Sequence, residues 1–88
     1  MIEIRYYSAP WCGPCKQLSP IVEKVANAVN SQLVKVDIST DEGAELASAN
    51  GVRGVPTIAV YRDGQLIDVR QGMMSEAGLL TMVDGAIL

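Results

Sequence analysis

Residues 11–16 read Trp11-Cys12-Gly13-Pro14-Cys15-Lys16, and they stand where one hydrophobic pattern gives way to another. Before them, residues 2–7 set Ile2, Ile4 and Tyr6 against Glu3, Arg5 and Tyr7, the two-residue period of a strand. After them the apolar positions fall at Leu18, Ile21, Val22, Val25, Ala26 and Val29, the three-and-four spacing of an amphipathic helix. Gly13-Pro14 predicts where the helix starts, because a first turn does not need the N–H that proline lacks. Pro20 falls inside the same helix, removes one donor and predicts a kink.

A cysteine pair at a strand-to-helix turn has a specific chemistry. A helix N-terminus presents unpaired N–H groups and roughly half a unit of positive charge. A thiolate there is favoured over the thiol, so the sulfur becomes a better nucleophile at neutral pH. Cys12, in the first turn, is expected to feel that field while remaining exposed, and Cys15, one turn later, to face it from the more buried side. Cys12 could then attack a disulfide and Cys15 resolve the mixed disulfide. A structural staple is a poor use of the pair, since so small a loop is worth only about 2 kcal/mol. Half of a zinc site is an alternative, but there is no second cysteine pair and no histidine, so the other ligands would have to be carboxylates or come from a second chain. Two unrelated buried cysteines are a further alternative, disfavoured by the Trp, Gly and Pro around them.

Composition narrows the field further. The chain has 88 residues, 49% hydrophobic and 19% charged, enough for one small folded domain spanning residues 1–88 and too apolar for disorder. The absence of histidine removes Ser–His and Cys–His nucleophile pairs and most zinc sites. A net charge of −3 argues against nucleic acid or an anionic membrane as partner, and no apolar run reaches the length of a membrane span. Glu3 and Arg5 interrupt the first apolar stretch, which therefore does not read as an export signal. Two closely spaced cysteines suit a reducing compartment, so the expected location is the cytoplasm.

The remaining segments complete the order β-α-β-α-β-β-α. Residues 33–38 form a second strand. Ser39 and Glu42 have capping-box spacing ahead of a short helix through Leu46 that Gly51 can end. Residues 57–61 and 66–70 flank an Asp63-Gly64 hairpin turn. Leu79, Leu80, Val83 and Ile87 repeat with helical spacing behind a possible Ser75 cap. The first two strands should be parallel and the last two antiparallel, giving a four-stranded mixed sheet between helices in an α/β fold.

The hexapeptide resembles the active site of the thioredoxin family, and the run Gly51-Val52-Arg53-Gly54-Val55-Pro56-Thr57 resembles the family's cis-proline segment. Pro20, Lys35, Gly64 and Gly72 have family equivalents too, so the likeness extends along the chain from Ile2. It implies a thioredoxin-like fold with Cys12 as nucleophile and Cys15 as resolving thiol. It also implies a cis Pro56 facing the disulfide, with Val55 offering backbone groups to an extended substrate. Trp11, Gly54, Val55 and Gly72 would form a shallow apolar rim. Gly13, Pro14, Lys35 and Tyr6 are the residues expected to tune the thiols.

Two departures from the family pattern stand out. The usual β-α unit ahead of the first strand is missing, leaving a core of glutaredoxin size with one strand edge to protect. Glu3 and Arg5 are candidates for that protection, or else simply solvent-facing residues. The family's buried aspartate, six positions before the first cysteine, is Tyr6 here. A phenol is a poor base at neutral pH. Tyr6 reads better as core packing, though a hydrogen bond to Cys15 is open to it. Lys35 then lacks its acidic partner, and a free ammonium near the dithiol would favour thiolate.

The resemblance implies a thiol–disulfide oxidoreductase, a monomer without cofactor or metal. It would reduce protein disulfides and be recycled by a thioredoxin reductase or other dithiol donor. A glutathione-dependent, glutaredoxin-like enzyme is the alternative, against which Gly13-Pro14 and the single Gly72 count. A non-catalytic binding subunit is a third possibility, with Met73 and Met74 as an adaptable exposed contact.

Overall fold

The alternating segment at the start of the chain becomes β1 (Ile2–Ser8), the second strand from one side of a sheet ordered β2-β1-β3-β4. The structure, a computed structural model, describes residues 1–87. Helix α1 (Gly13–Ala28) carries the chain over one face to β2 (Gln32–Asp37), which runs parallel to β1 with Tyr6 beside Lys35. Helix α2 (Asp41–Ala49) crosses the other face. β3 (Thr57–Arg62) then returns antiparallel on the far side of β1, and β4 (Gln65–Gln71) pairs antiparallel with β3, with a bulge between Val60 and Tyr61. Helix α3 (Glu76–Ile87) ends beside α1. Order, strand directions and layering are those the periodicities predict.

Alternation along β1 divides the interior into two layers. Ile4 and Tyr6 face α1 and α3, where Leu18, Val22, Val25, Ile58, Leu79 and Val83 complete the larger core. Tyr7 faces the opposite way, with Val36, Ala47 and Ala59 beneath α2. Glu3 and Arg5 share that second face and are only half-buried, paired at 3.0 Å, with the Arg5 guanidinium 4.5 Å above the Tyr61 ring. They do not guard an edge, because β1 is interior; the strand edges belong to β2 and β4. A cation lying over an aromatic face keeps its charge satisfied where the helical cover stops.

Local chemistry decides where the helices begin and end. α1 runs unbroken through Pro20 and closes at Asn30, in the left-handed region (φ 54°), with Ser31 N–H donating to the Ala26 carbonyl and Asn30 N–H to that of Asn27. α2 closes the same way at Gly51, through Val52 to Ala47 and Gly51 to Ser48. Its start differs from expectation: Thr40, not Ser39, is the N-cap, and its hydroxyl accepts from Gly43 N–H. Ser39 is occupied with the Asp37 carboxylate, which accepts from both its N–H and its hydroxyl. Gly43 lets α2 lie directly on the end of β2, since a Cβ there would stand 1.8 Å from the Asp37 carbonyl oxygen. Ser75 caps α3 as expected, accepting from Gly78 N–H at 3.0 Å.

Candidate active site

The end of β1 delivers the cysteine turn to one end of the sheet. Cys12 N–H donates to the Ala9 carbonyl at 3.1 Å, closing a turn that makes Cys12 the N-cap of α1. The capping group is the sulfur itself: Cys15 N–H donates to Cys12 Sγ at 3.2 Å. N-caps are ordinarily oxygen acceptors that satisfy an orphan donor; here that stabilisation falls on a nucleophile. Gly13 and Pro14 occupy the first turn, which holds no acidic residue to oppose negative charge on the sulfur. Cys12 and Cys15 are joined as a disulfide, with Cα atoms 5.3 Å apart.

The two cysteines are more nearly alike in burial than the expectation of an exposed Cys12 allowed. Cys12 is 5% exposed and Cys15 3%, and both pack with Ala9 against Ile38 and Val55. The covering groups come from the end of β2 and from the segment before β3, so neither was visible in the local pattern around the cysteines. Val55 leads into Pro56 through a cis peptide bond. Pro56 is buried, and its carbonyl accepts from Gly72 N–H at 2.9 Å, tying the segment after β4 to the one before β3. Gly72 takes φ 98°, a conformation other residues rarely adopt. Gly54 lies against the Gln71 side chain, whose end a Cβ there would displace, and its carbonyl accepts from the Thr57 hydroxyl. Trp11 stands 69% exposed beside the cysteines in sequence, so it is not a core residue. Met73 is exposed, but Met74 packs against the larger core, so the two are not a continuous exposed pair.

Tyr6 sits beneath the dithiol, fully buried. Its hydroxyl donates to the Cys15 carbonyl at 2.9 Å and lies 3.1 Å from Ser19 Oγ, which itself donates to that carbonyl at 2.8 Å. It therefore combines the two roles considered for it: it packs in the core, and it bonds Cys15 at the main chain. Lys35, in register with Tyr6, is not the unpartnered ammonium expected from the missing aspartate, because it forms an ion pair with Glu23 of α1. Sequence reading passed over Ser19 and Glu23, although their spacing of four and eight from Cys15 marked them as one stripe of the helix. A depression beside the stripe is lined by Cys15, Lys16, Ser19, Lys35 and Asp37. The Asp37 carboxyl is held below its ordinary range by the Ser39 hydroxyl and then the Ser39 N–H.

Among the described residues no group of three or more His, Cys, Asp or Glu side chains converges, and no helix is long and apolar enough to cross a membrane. The family model described as Thioredoxin matches residues 2–85. Thioredoxin 1 of Synechococcus elongatus is 37% identical over 76 residues, covering 86% of this chain and 71% of that protein. The thioredoxin of Rhodospirillum rubrum is 34% identical, covering 90% and 76% respectively. Among solved structures, a mutant thioredoxin from Halobacterium salinarum superposes with a TM-score of 0.89 at 36% identity, covering 97% of this chain and 74% of that one. A structure titled only as a malarial protein shares the fold with a TM-score of 0.87 at 22% identity, and there the match covers 100% of this chain and 99% of the other.

Proposed function

The chain belongs to the thioredoxin family and is a thiol–disulfide oxidoreductase, and from that premise we propose how its residues divide the reaction. In the reduced protein Cys12 Sγ, as thiolate, attacks one sulfur of a protein disulfide. The new sulfur–sulfur bond forms as the substrate's other sulfur leaves as a thiolate and takes up a proton. Cys15, losing its own proton, then attacks Cys12 Sγ. The Cys12–Cys15 bond forms and the second substrate sulfur departs and is protonated. Two electrons pass from the cysteine pair to the substrate, and of the two protons the substrate sulfurs take up, one balances that lost by Cys15 and the other comes from solvent.

The observation that carries this reading is the Cys15 N–H donated to Cys12 Sγ at the start of α1, which favours negative charge on that one sulfur. Trp11, Gly54, Val55 and Gly72 form the rim, and Val55, ahead of the cis bond to Pro56, offers its main chain to an extended substrate segment. Support comes from the exposure of Trp11 and from the contact of Val55 with the cysteines. The protein acts as a monomer in the cytoplasm, where other thiols are kept reduced, and a thioredoxin reductase returns it to the dithiol.

A protein-disulfide reduction assay with insulin tests the assignment. Cys12→Ser abolishes turnover, whereas Cys15→Ser accumulates a covalent adduct through Cys12 that mass spectrometry detects. An adduct forming through Cys15 in Cys12→Ser instead would reverse the roles. A parent protein that does not reduce insulin at all, with both cysteines present, would instead make the fold a binding subunit. Reduction of the oxidised protein by glutathione but not by a flavin-dependent thioredoxin reductase would point to glutaredoxin-like chemistry.

A further inference from the structure

Cys15, Ser19 and Glu23 recur every four residues along α1 and so lie on one stripe of the helix. The sheet answers with two adjacent residues in register, Tyr6 of β1 and Lys35 of β2, on the face that α1 covers. The stripe is joined at two points. Tyr6 and Ser19 bond the Cys15 carbonyl, and Glu23 forms the ion pair with Lys35. Lys35 lines two neighbouring depressions, one that Cys15 also lines and one that Glu23 also lines, so the residue that pairs with the carboxylate borders the approach to the resolving cysteine.

We propose that Glu23 is a positioning residue for the resolving step: through its ion pair with Lys35 it sets how strongly that ammonium favours the Cys15 thiolate. The inference rests on the reading that Cys15 resolves the mixed disulfide. The proton lost by Cys15 goes to water in the open depression, and the charges of the stripe adjust how readily it leaves. Lys35 favours thiolate, and Glu23 offsets part of that effect while holding the ammonium in place. Three other groups face Cys15 from the elements around it. Lys16 of α1 is a second cation, Asp37 of β2 is turned into its bonds with Ser39, and the Tyr6 hydroxyl of β1 is spent on the main chain. Among the described residues Glu23 is thus the carboxylate paired with Lys35, one of the two cations lining the approach to Cys15. Both members of the pair are about half exposed, so removing either leaves no buried charge without a partner.

The test titrates Cys15 by its ultraviolet thiolate absorbance in a Cys12→Ser background, at low and high salt. Glu23→Gln keeps an acceptor for Lys35 but removes the charge, and lowers the Cys15 midpoint by about half a pH unit, roughly a threefold gain in thiolate below the midpoint. Lys35→Met moves the midpoint the opposite way by a similar amount, and salt shrinks both shifts. A purely structural role for the pair would not give opposite signs. Unchanged midpoints, shifts in the same direction, or shifts indifferent to salt would each overturn the proposal. The titration does not depend on turnover, so it remains informative even if Cys15→Ser fails to trap an adduct. That failure would fall on the resolving role alone.

Discussion

Tyr6 and Tyr7 are neighbours in β1, both fully buried, and their hydroxyls have opposite fates. Tyr6 Oη reaches the Cys15 carbonyl and Ser19, whereas Tyr7 Oη, turned to the other face, has no hydrogen-bond partner among the described residues. Losing a satisfied buried hydroxyl is costly, and losing an unsatisfied one removes a penalty. Tyr6→Phe is therefore expected to destabilise the oxidised protein by about 1 kcal/mol, and Tyr7→Phe to be neutral or stabilising by up to about 1 kcal/mol, in denaturant unfolding. The reverse order would show that the Tyr6 bonds contribute nothing. The two-residue alternation made the opposite facings of these tyrosines legible. Which hydroxyl found its partners was not legible, because they lie nine and thirteen residues away on a helix whose placement depends on the whole core.

At the scale of elements, the entry to α2 shows how two local signals compete. Ser39 and Glu42 have the spacing of a capping box, but Asp37 takes both the N–H and the hydroxyl of Ser39, at 2.9 and 2.6 Å. The cap then passes one residue along to Thr40. The same bonds lower the Asp37 carboxyl below its ordinary 3.8, the Ser39 hydroxyl first and its N–H second. A carboxyl with a depressed folded value contributes stability that is fully present above the ordinary value and lost as pH falls through the lowered one. Asp37→Asn should therefore lower the melting temperature at neutral pH, and the gap to the parent should narrow as the pH is taken down through and below the ordinary carboxylate range. A gap that stays constant over that range would mean the charge on Asp37 is irrelevant to the turn. By contrast, the end of α2 was readable from Gly51, since the left-handed residue that closes a helix needs only its own backbone freedom, and Asn30 closes α1 in the same region without having been singled out.

At the scale of the molecule, β1 and β3 are flanked on both sides by strands, and β2 and β4 each have one free edge. Amide hydrogens of β1 and β3 are expected to exchange most slowly and the outward-facing amides of β2 and β4 soonest. Uniform protection across the four strands would mean that something covers the edges in solution. Here sequence and tertiary structure divide plainly. Element order, the parallel and antiparallel pairings and the cysteine pair at the start of α1 were legible in the sequence alone. These follow from periodicity, turn chemistry and short motifs, all contained within a few residues of chain. Only the tertiary structure decided that β1 is interior, so that Glu3 and Arg5 pair with each other beside Tyr61 instead of guarding an edge. It also decided that Ile38 and Val55 pack against the cluster of Ala9, Cys12 and Cys15, and that Lys35 meets Glu23 in place of the absent aspartate. Each of these depends on segments distant in the chain arriving at one place, and burial and charge pairing take their values only once the sheet and helices have packed.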